Sequence, residues 1–225
     1  MRLGILGGTF NPIHLGHLRL AQELVPLLGL DTVLFVPAGQ PPLRPEGHVA
    51  STLHRYTMVA LATAGEPRFC LSDIECRRPG PSYSVETVEE VRAEVGSGAH
   101  LFFILGSDSF LMFPQWREPQ RLLKQATLIL VPRGDRRLNL DSEDVAPIHA
   151  LLGSPRWIFL PRGSREATLE PGDVGVMPVT SLPISAREIR HRVRTGESIR
   201  GMVPAPVEEY IRKHRLYQDD PPSAV

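Results

Sequence analysis

The feature that most constrains the fold is a series of short, continuous apolar runs. They are Leu3–Leu6, TVLFVP at Thr32–Pro37, HLFFIL from His100, TLILVP from Thr127 and RWIFLP from Arg156. None alternates apolar with polar residues, so neither face of such a strand is meant for water. Between them the apolar spacing becomes helical over His17–Leu28, His54–Ala64 and Ser84–Val95, the last opened by a serine cap with Glu86 and Thr87 in its first turn. Strands buried on both faces and joined through helices predict an α/β fold: a doubly wound, Rossmann-like, mostly parallel sheet with helices on both faces.

The remaining segments complete this reading. Arg68–Glu75 reads as another strand, HLFFILGSDSF as a strand running into a turn, and Leu122–Gln125 as the end of a helix. ISAREIRHRVRTG and APVEEYIRKHRLY read as two closing helices, while the Gly/Pro-punctuated stretches Pro132–Pro147 and Pro161–Gly175 read as surface loops. No repeat or domain boundary is visible. Residues 1–217 are expected to form a single domain, and 218–225 (QDDPPSAV) a disordered tail.

Composition limits the partners. With 225 residues, 42% hydrophobic and 22% charged, the chain can bury a sizeable core. Lys+Arg 25 against Asp+Glu 25 leaves it formally neutral, so no overall field attracts nucleic acid or an anionic membrane. An anionic ligand must then be held by local groups. No stretch approaches the ~18 apolar residues of a membrane span, and MRLGILGG meets glycine too soon for a signal peptide. The expected compartment is the cytoplasm. Cys70 and Cys76 fit neither a zinc site nor a disulfide framework and are expected to be buried, reduced thiols.

The chemistry concentrates in GGTFNPIHLGHL, Gly7–Leu18, between the first strand and the first helix. In a doubly wound sheet this turn lies where ligands bind, beyond the carboxyl end of a strand. Gly7 and Gly8 let backbone N–H groups approach an anion, and a helix beginning near Gly16–His17 adds the positive end of its dipole. His14 and His17, three apart, face the same way on a helical turn and together form a receptor for phosphate oxygens. A lone histidine in such a turn is ordinarily a cap or surface residue; the spaced pair after Gly-Gly-Thr is the stronger signal. Nothing adjacent supplies the further ligand zinc would need, so no protein metal site is expected.

GGTFNPIHLGH resembles the HxGH signature of the nucleotidyltransferase superfamily, and the chain from Met1 to about Tyr217 resembles its bacterial nicotinate-nucleotide adenylyltransferase family. Further motifs carry that resemblance: VPAGQPPLRP at Val36–Pro45, His54–Arg55, SDIECRRPGPSYSVETV at Ser72–Val88, FILGSDSF at Phe103–Phe110, Trp116, and ISAREIR at Ile184–Arg190. It implies transfer of AMP from ATP to nicotinate mononucleotide by direct attack, without a covalent intermediate. It also implies Mg²⁺ bound mainly through the ATP phosphates. His14 and His17 would be catalytic, and Gly7, Gly8, Thr9, Phe10, Gly106, Asp108, Ile184, Ser185 and Arg190 would complete the ATP site. Gly8 and Thr9 would also meet the pyridine nucleotide, with Arg44, Tyr83, Ser84 and Trp116.

The residues themselves leave alternatives beside those implied roles. Asp108 is equally a helix cap or a ligand, Ser185 and Arg190 fit any capped helix, and Trp116 is more often a packing residue than a stacking platform. Asn11 stands where many relatives have Asp, Leu43 where histidine is common, and Arg187 where a small hydroxyl residue is usual. An adenylyltransferase for pantetheine phosphate or for the amide nucleotide, and a regulatory protein that binds nucleotide without turnover, stay open as rivals. A class I aminoacyl-tRNA synthetase does not, because lysine occurs only at Lys124 and Lys213 and a KMSKS loop cannot be built. A homo-oligomer is compatible with the sequence, whose neutral charge does not decide the matter.

Overall fold

The computed structural model describes residues 1–41, 49–132, 146–153, 155–160, 169–170, 172–177, 179–180 and 182–218. Seven strands form one sheet among the described residues: β1 (Arg2–Gly8), β2 (Thr32–Pro37), β3 (Phe69–Leu71), β4 (His100–Gly106), β5 (Thr127–Val131), β6 (Trp157–Phe159) and β7 (Val174–Val176). Their spatial order is β3-β2-β1-β4-β5-β7-β6, and every pairing is parallel. The chain winds outward from β1 in one direction through β2 and β3. It then returns to the other side of β1 with β4 and β5. The crossover connections after β1 and β4 therefore part in opposite directions and leave a crevice above the paired ends of those two strands.

Alternation along the strands divides the core. Leu6, Phe102, Ile104, Ile129 and Val131 face one layer, while Leu3, Ile5, Leu101, Phe103, Leu105, Leu128 and Leu130 face the other. The first layer is covered by α1 (Leu15–Leu27), α2 (Thr52–Thr63), α8 (Ala186–Thr195) and α9 (Ala205–Lys213) through Leu24, Met58, Ile189 and Val207. The second is covered by α3 (Ile74–Arg77), α4 (Ser84–Val95), α5 (Ser107–Leu111), α6 (Pro119–Leu123) and α7 (Ala146–Leu152) through Ile74, Val88, Phe110, Leu122 and Ile148. Fully buried side chains such as Phe35, Phe102 and Phe113 each contribute about 1.5–3 kcal/mol relative to exposure.

The predicted fold class is the observed one, and several local readings need correction. The strand read over Arg68–Glu75 stops at Leu71 and yields to α3, whose Arg77 pairs with Asp73 at 3.1 Å. β3 is a sheet edge, so Cys70 is exposed there rather than buried, and Cys76 is half-buried on α3. Ser84 is the first helical residue of α4, not its cap; Tyr83 holds the cap position. Pro161–Gly175 does not end as loop, because Val174 and Gly175 open the buried β7. A Cβ at Gly175 would stand 2.5 Å from Met177 Cε and 3.1 Å from Ile129 Cδ1, so the residue that makes this strand read as a turn is the one over which those side chains pack. The turn after β4 is helical, α5 followed by a 3-10 turn at Phe113–Gln115. The tail beyond Gln218 and most of the stretches 132–147 and 161–175 lie outside the described residues.

Candidate active site

The turn after β1 is held in a demanding conformation. Phe10 has φ of +46°, a left-handed backbone that costs a bulky residue about 1–3 kcal/mol. Its ring is 3% exposed, lies in the core 6.1 Å from Phe35, and meets the His17 ring edge-on at 5.1 Å. Gly8 makes room for this, since a Cβ there would come within 3.2 Å of the Phe10 ring. Phe10 thus supports the site from below, while Gly7 is exposed and Thr9 half-buried at the surface of the turn.

His14 occupies the N-cap of α1 and is buried. Its backbone N–H donates to Nδ1 of His17 at 3.2 Å, and its carbonyl accepts from the His17 N–H at 3.0 Å. An accepting Nδ1 places the proton of a neutral His17 ring on Nε2, so the far nitrogen is the donor. The two imidazoles stack with centroids 3.7 Å apart and planes 25° from parallel. Gly16 between them leaves the ring its place, because a Cβ would lie 3.0 Å from His14 Nδ1 and press on it. The sequence thus produces paired ring nitrogens beside the N-terminus of a 13-residue helix, at the mouth of the β1/β4 crevice.

Two other segments close on this turn. Gly106 caps α5, with Asp108 exposed in the first helical turn directly after β4 and Ser107 beside it. Ser185 caps α8, its hydroxyl accepting from the Glu188 N–H at 3.1 Å, with half-buried Ile184 just before it and exposed Arg187 just after. Arg190 reaches back from α8 to donate to the Asn11 carbonyl at 2.7 Å. Asn11, 2% exposed, accepts on Oδ1 from the Ala50 N–H at 3.0 Å. Its amide serves as an acceptor, the part an aspartate would also play.

The opposite wall is built around Gly39. Its N–H donates to Ser82 Oγ at 3.0 Å, and the Ser82 N–H donates to the Gln40 carbonyl at 2.9 Å. A Cβ on Gly39 would stand 2.2 Å from the Glu75 carbonyl oxygen, so only glycine passes there. Tyr83 and Ser84 begin α4 beside this contact, and the Arg117 guanidinium lies 4.6 Å over the Tyr83 ring while pairing with Glu86 at 3.1 Å. Trp116 is half-buried, edge-on to Phe103 at 6.1 Å and tilted on Phe113 at 5.4 Å. Arg44 and Leu43 lie outside the described residues.

Two buried charged residues behind this wall were not singled out as site residues by sequence reasoning. Arg55 is 1% exposed and Glu75 is 7% exposed. Burial pushes the Glu75 carboxyl above its ordinary range, against hydrogen bonds from Thr87, Ser82 and the Gly39 N–H and the nearby Arg78. The signal for Arg55 was present: it shares the buried face of α2 with Met58 and Val59, a place where a cation is not ordinarily found. Among the described residues, no three His, Cys, Asp or Glu converge as a metal cage. No described helix is long and apolar enough to cross a membrane.

Comparison with known proteins agrees with this architecture. Residues 5–192 match the cytidylyltransferase-like family. A probable nicotinate-nucleotide adenylyltransferase of Geobacter metallireducens is 41% identical over 98% of this chain and 100% of its own length, and one from Pelobacter propionicus gives the same values. A nicotinic acid mononucleotide adenylyltransferase of Plasmodium falciparum, solved in complex with NaAD, superposes with a TM-score of 0.68 at 18% identity, covering 96% of this chain and 97% of that one; it shares the fold. Matched along nearly its whole length, the chain belongs to the cytidylyltransferase-like nucleotidyltransferases and, among them, to the nicotinate-nucleotide adenylyltransferase family.

Proposed function

We propose that this chain transfers the adenylyl group of ATP to nicotinate mononucleotide, releasing pyrophosphate and forming nicotinate adenine dinucleotide, with residues 1–217 as the working domain. The observation that carries the proposal is the stacked His14–His17 pair at the head of α1, with the His17 proton fixed on Nε2. Family membership directs the choice of acceptor.

An oxygen of the acceptor's 5′-phosphate attacks the α-phosphorus of ATP, and the bond to the bridging oxygen breaks with its electrons leaving on pyrophosphate. A phosphate monoester, with a second pKa of about 6, is already largely ionised near neutral pH. No general base is then required, and the work is placement and charge stabilisation. His14 and His17 donate to the phosphate oxygens as charge shifts onto them. The Gly7, Gly8 and Thr9 amides and the α1 dipole add to the same field, and Arg190, anchored on Asn11, brings a cation beside the turn. Gly106 and Asp108 meet the adenosine, and Ile184 and Ser185 close the triphosphate end. Tyr83, Ser84 and Trp116 take the pyridine ring, with Arg44 toward its phosphate. Mg²⁺, which neutralises triphosphate charge when bound, fits a donor set of this kind: ring nitrogens, amides and the single exposed carboxylate of Asp108 suit an ion carried mainly on phosphate oxygens.

Pyrophosphate release from ATP, assayed against nicotinate mononucleotide, its amide and pantetheine phosphate, tests the proposal. The acid is expected to lead the amide by at least roughly a hundredfold in kcat/KM, because N–H donors at the Tyr83–Ser84 turn suit a carboxylate and oppose an NH₂ group. Turnover with pantetheine phosphate in place of the pyridine nucleotides would overturn the assignment. Tight binding of ATP without turnover of any acceptor would make the protein a nucleotide sensor.

A further inference from the structure

Arg55 is the largest fully buried side chain among the described residues, and each arm of its guanidinium ends on a different segment. Nε donates to the Ala50 carbonyl at 2.9 Å and Nη1 to the Thr9 carbonyl at 2.9 Å. Nη2 donates to the Gly39 carbonyl at 2.9 Å and to Thr52 Oγ1 at 3.1 Å. Thr9 belongs to the turn that presents His14 and His17; Gly39 belongs to the wall that leads through Ser82 to Tyr83 and Ser84. Thr52 reinforces the link, its own hydroxyl donating to the Gly39 carbonyl at 3.1 Å.

All four acceptors are uncharged, an arrangement in which a buried cation is expensive to keep. Desolvation lowers the pKa of the guanidinium, with Cys76, Tyr217 and Glu75 acting the other way, and the group still remains a cation. A cost of this kind is sustained where a fixed geometry is needed. Only a planar fork reaches carbonyls in three directions at once; a lysine ammonium on its flexible stem does not.

We propose that Arg55 is a positioning residue that locks the donor-side turn at Thr9 to the acceptor-side wall at Gly39, and so fixes the span across which the adenylyl group moves. The proposal rests on the adenylyl-transfer reading above. Displacing one substrate relative to the other by about 1 Å is enough to cost ~10²-fold in rate, even when each still binds.

The test is Arg55→Met and Arg55→Lys in the full chain, beside a wild type first shown to turn over ATP and nicotinate mononucleotide. An inactive wild type would overturn the adenylyl-transfer reading and is thereby told apart from failure of the present proposal. In Arg55→Met, kcat is expected to fall ~10²-fold. Affinities for nicotinate mononucleotide and a non-hydrolysable ATP analogue, each measured alone by calorimetry, should stay within about threefold with full stoichiometry. Arg55→Lys should recover part of kcat. A kcat within about threefold of wild type in folded Arg55→Met would overturn the proposal, and so would a loss wholly matched by a fall in binding stoichiometry. If Arg55→Met does not fold, Thr52→Val decides. It removes the Thr52 bond to the Gly39 carbonyl and the bond Thr52 accepts from Arg55, and should lower kcat about fivefold at unchanged affinities, against no change if the link is merely structural.

Discussion

On the donor side of the crevice, the two histidines are set by their near neighbours, although the turn before them is also tied to Arg55 and Arg190. His14 caps the helix it opens, its N–H fixes His17 three residues on, and the glycine between them clears the ring. On the acceptor side the same task falls to residues far apart in sequence: Gly39 is held by Ser82, by Arg55, and by a close pass over the Glu75 backbone. The contrast suits the two loads. A triphosphate is met by amides and a helix terminus, which any tight βα turn provides, whereas a pyridine nucleotide needs a shaped wall that no single loop can build.

The sharpest way to break this comparison is to remove His17, the donor proposed to act on the transferring phosphoryl group. His17→Ala should lower kcat by ~10²–10³-fold, the loss typical of a removed charge-stabilising donor, while ATP affinity changes far less. His14→Ala should lose similarly, with a larger share in ATP affinity. Single-turnover kinetics with calorimetry of an ATP analogue would separate the two. Near-normal turnover in folded His17→Ala would remove the histidine pair from the chemistry.

Two glycines sharpen the comparison next, because each guards one side. Gly16→Ala puts a methyl 3.0 Å from His14 Nδ1 and should displace that ring, lowering kcat by about tenfold with the acceptor KM unchanged. Gly39→Ala meets backbone, not a movable side chain, at 2.2 Å, and should raise the KM for nicotinate mononucleotide by about tenfold with ATP affinity nearly intact. Steady-state kinetics on both variants reads the crossing directly. If both shift the same parameter, the two sides are not independently built.

The difference between the sides also governs what could be read from the sequence. The parallel sheet was legible because Leu3–Leu6, Thr32–Pro37 and Thr127–Val131 are uninterrupted apolar runs, and the His14–His17 pair because its logic is local. β7 was not, since its three residues include Gly175, which reads as a turn until Met177 and Ile129 are seen against it. The resemblance alone assigns Phe10 to the ATP pocket; the residue has a positive φ and is 3% exposed, within the core. Arg55 and Glu75 meet partners on other segments, Thr9 and Gly39 for the one and Thr87 for the other, and those contacts exist only once the chain is folded. Spacing can show a cap; it cannot show a contact set by sheet order.

A smaller effect is expected at the face of the acceptor wall. Trp116→Ala should raise KM for both nicotinate and nicotinamide mononucleotide by roughly tenfold, in line with the ~1–3 kcal/mol of base-on-aromatic stacking. Part of that loss comes from the contacts of Trp116 with Phe103 and Phe113. The acid-to-amide ratio in kcat/KM should hold, because a ring face does not register the proton count of a substituent. A collapsed ratio would mean that the tryptophan also places the donors that read the carboxylate.

The smallest effect separates the acceptor wall from the rest of the molecule by its pH dependence. Burial raises the folded-state pKa of Glu75 above the ordinary carboxylate value, so across the interval between those two values the native state holds more protons than the unfolded chain. Its contribution to stability is therefore full below the ordinary value and is lost as pH rises through the raised one. Asp173 runs the other way. The bidentate Arg156, at 3.0 and 2.6 Å, holds its pKa down, and stability from that pair is lost as pH falls. A wild-type profile mixes both trends, but the difference between Glu75→Gln and wild type isolates one. Urea denaturation from pH 4 to 8 should show the variant gaining on wild type as pH rises, by no more than about 1.4 kcal/mol per pH unit, the one-proton limit. The new amide turns an N–H toward the Gly39 N–H and Ser82, which shifts the whole difference curve without changing its slope. A difference that is flat with pH would mean that Glu75 keeps an ordinary pKa behind the wall, and that the acceptor side is held by Arg55 and Ser82 without a buried acid of shifted pKa.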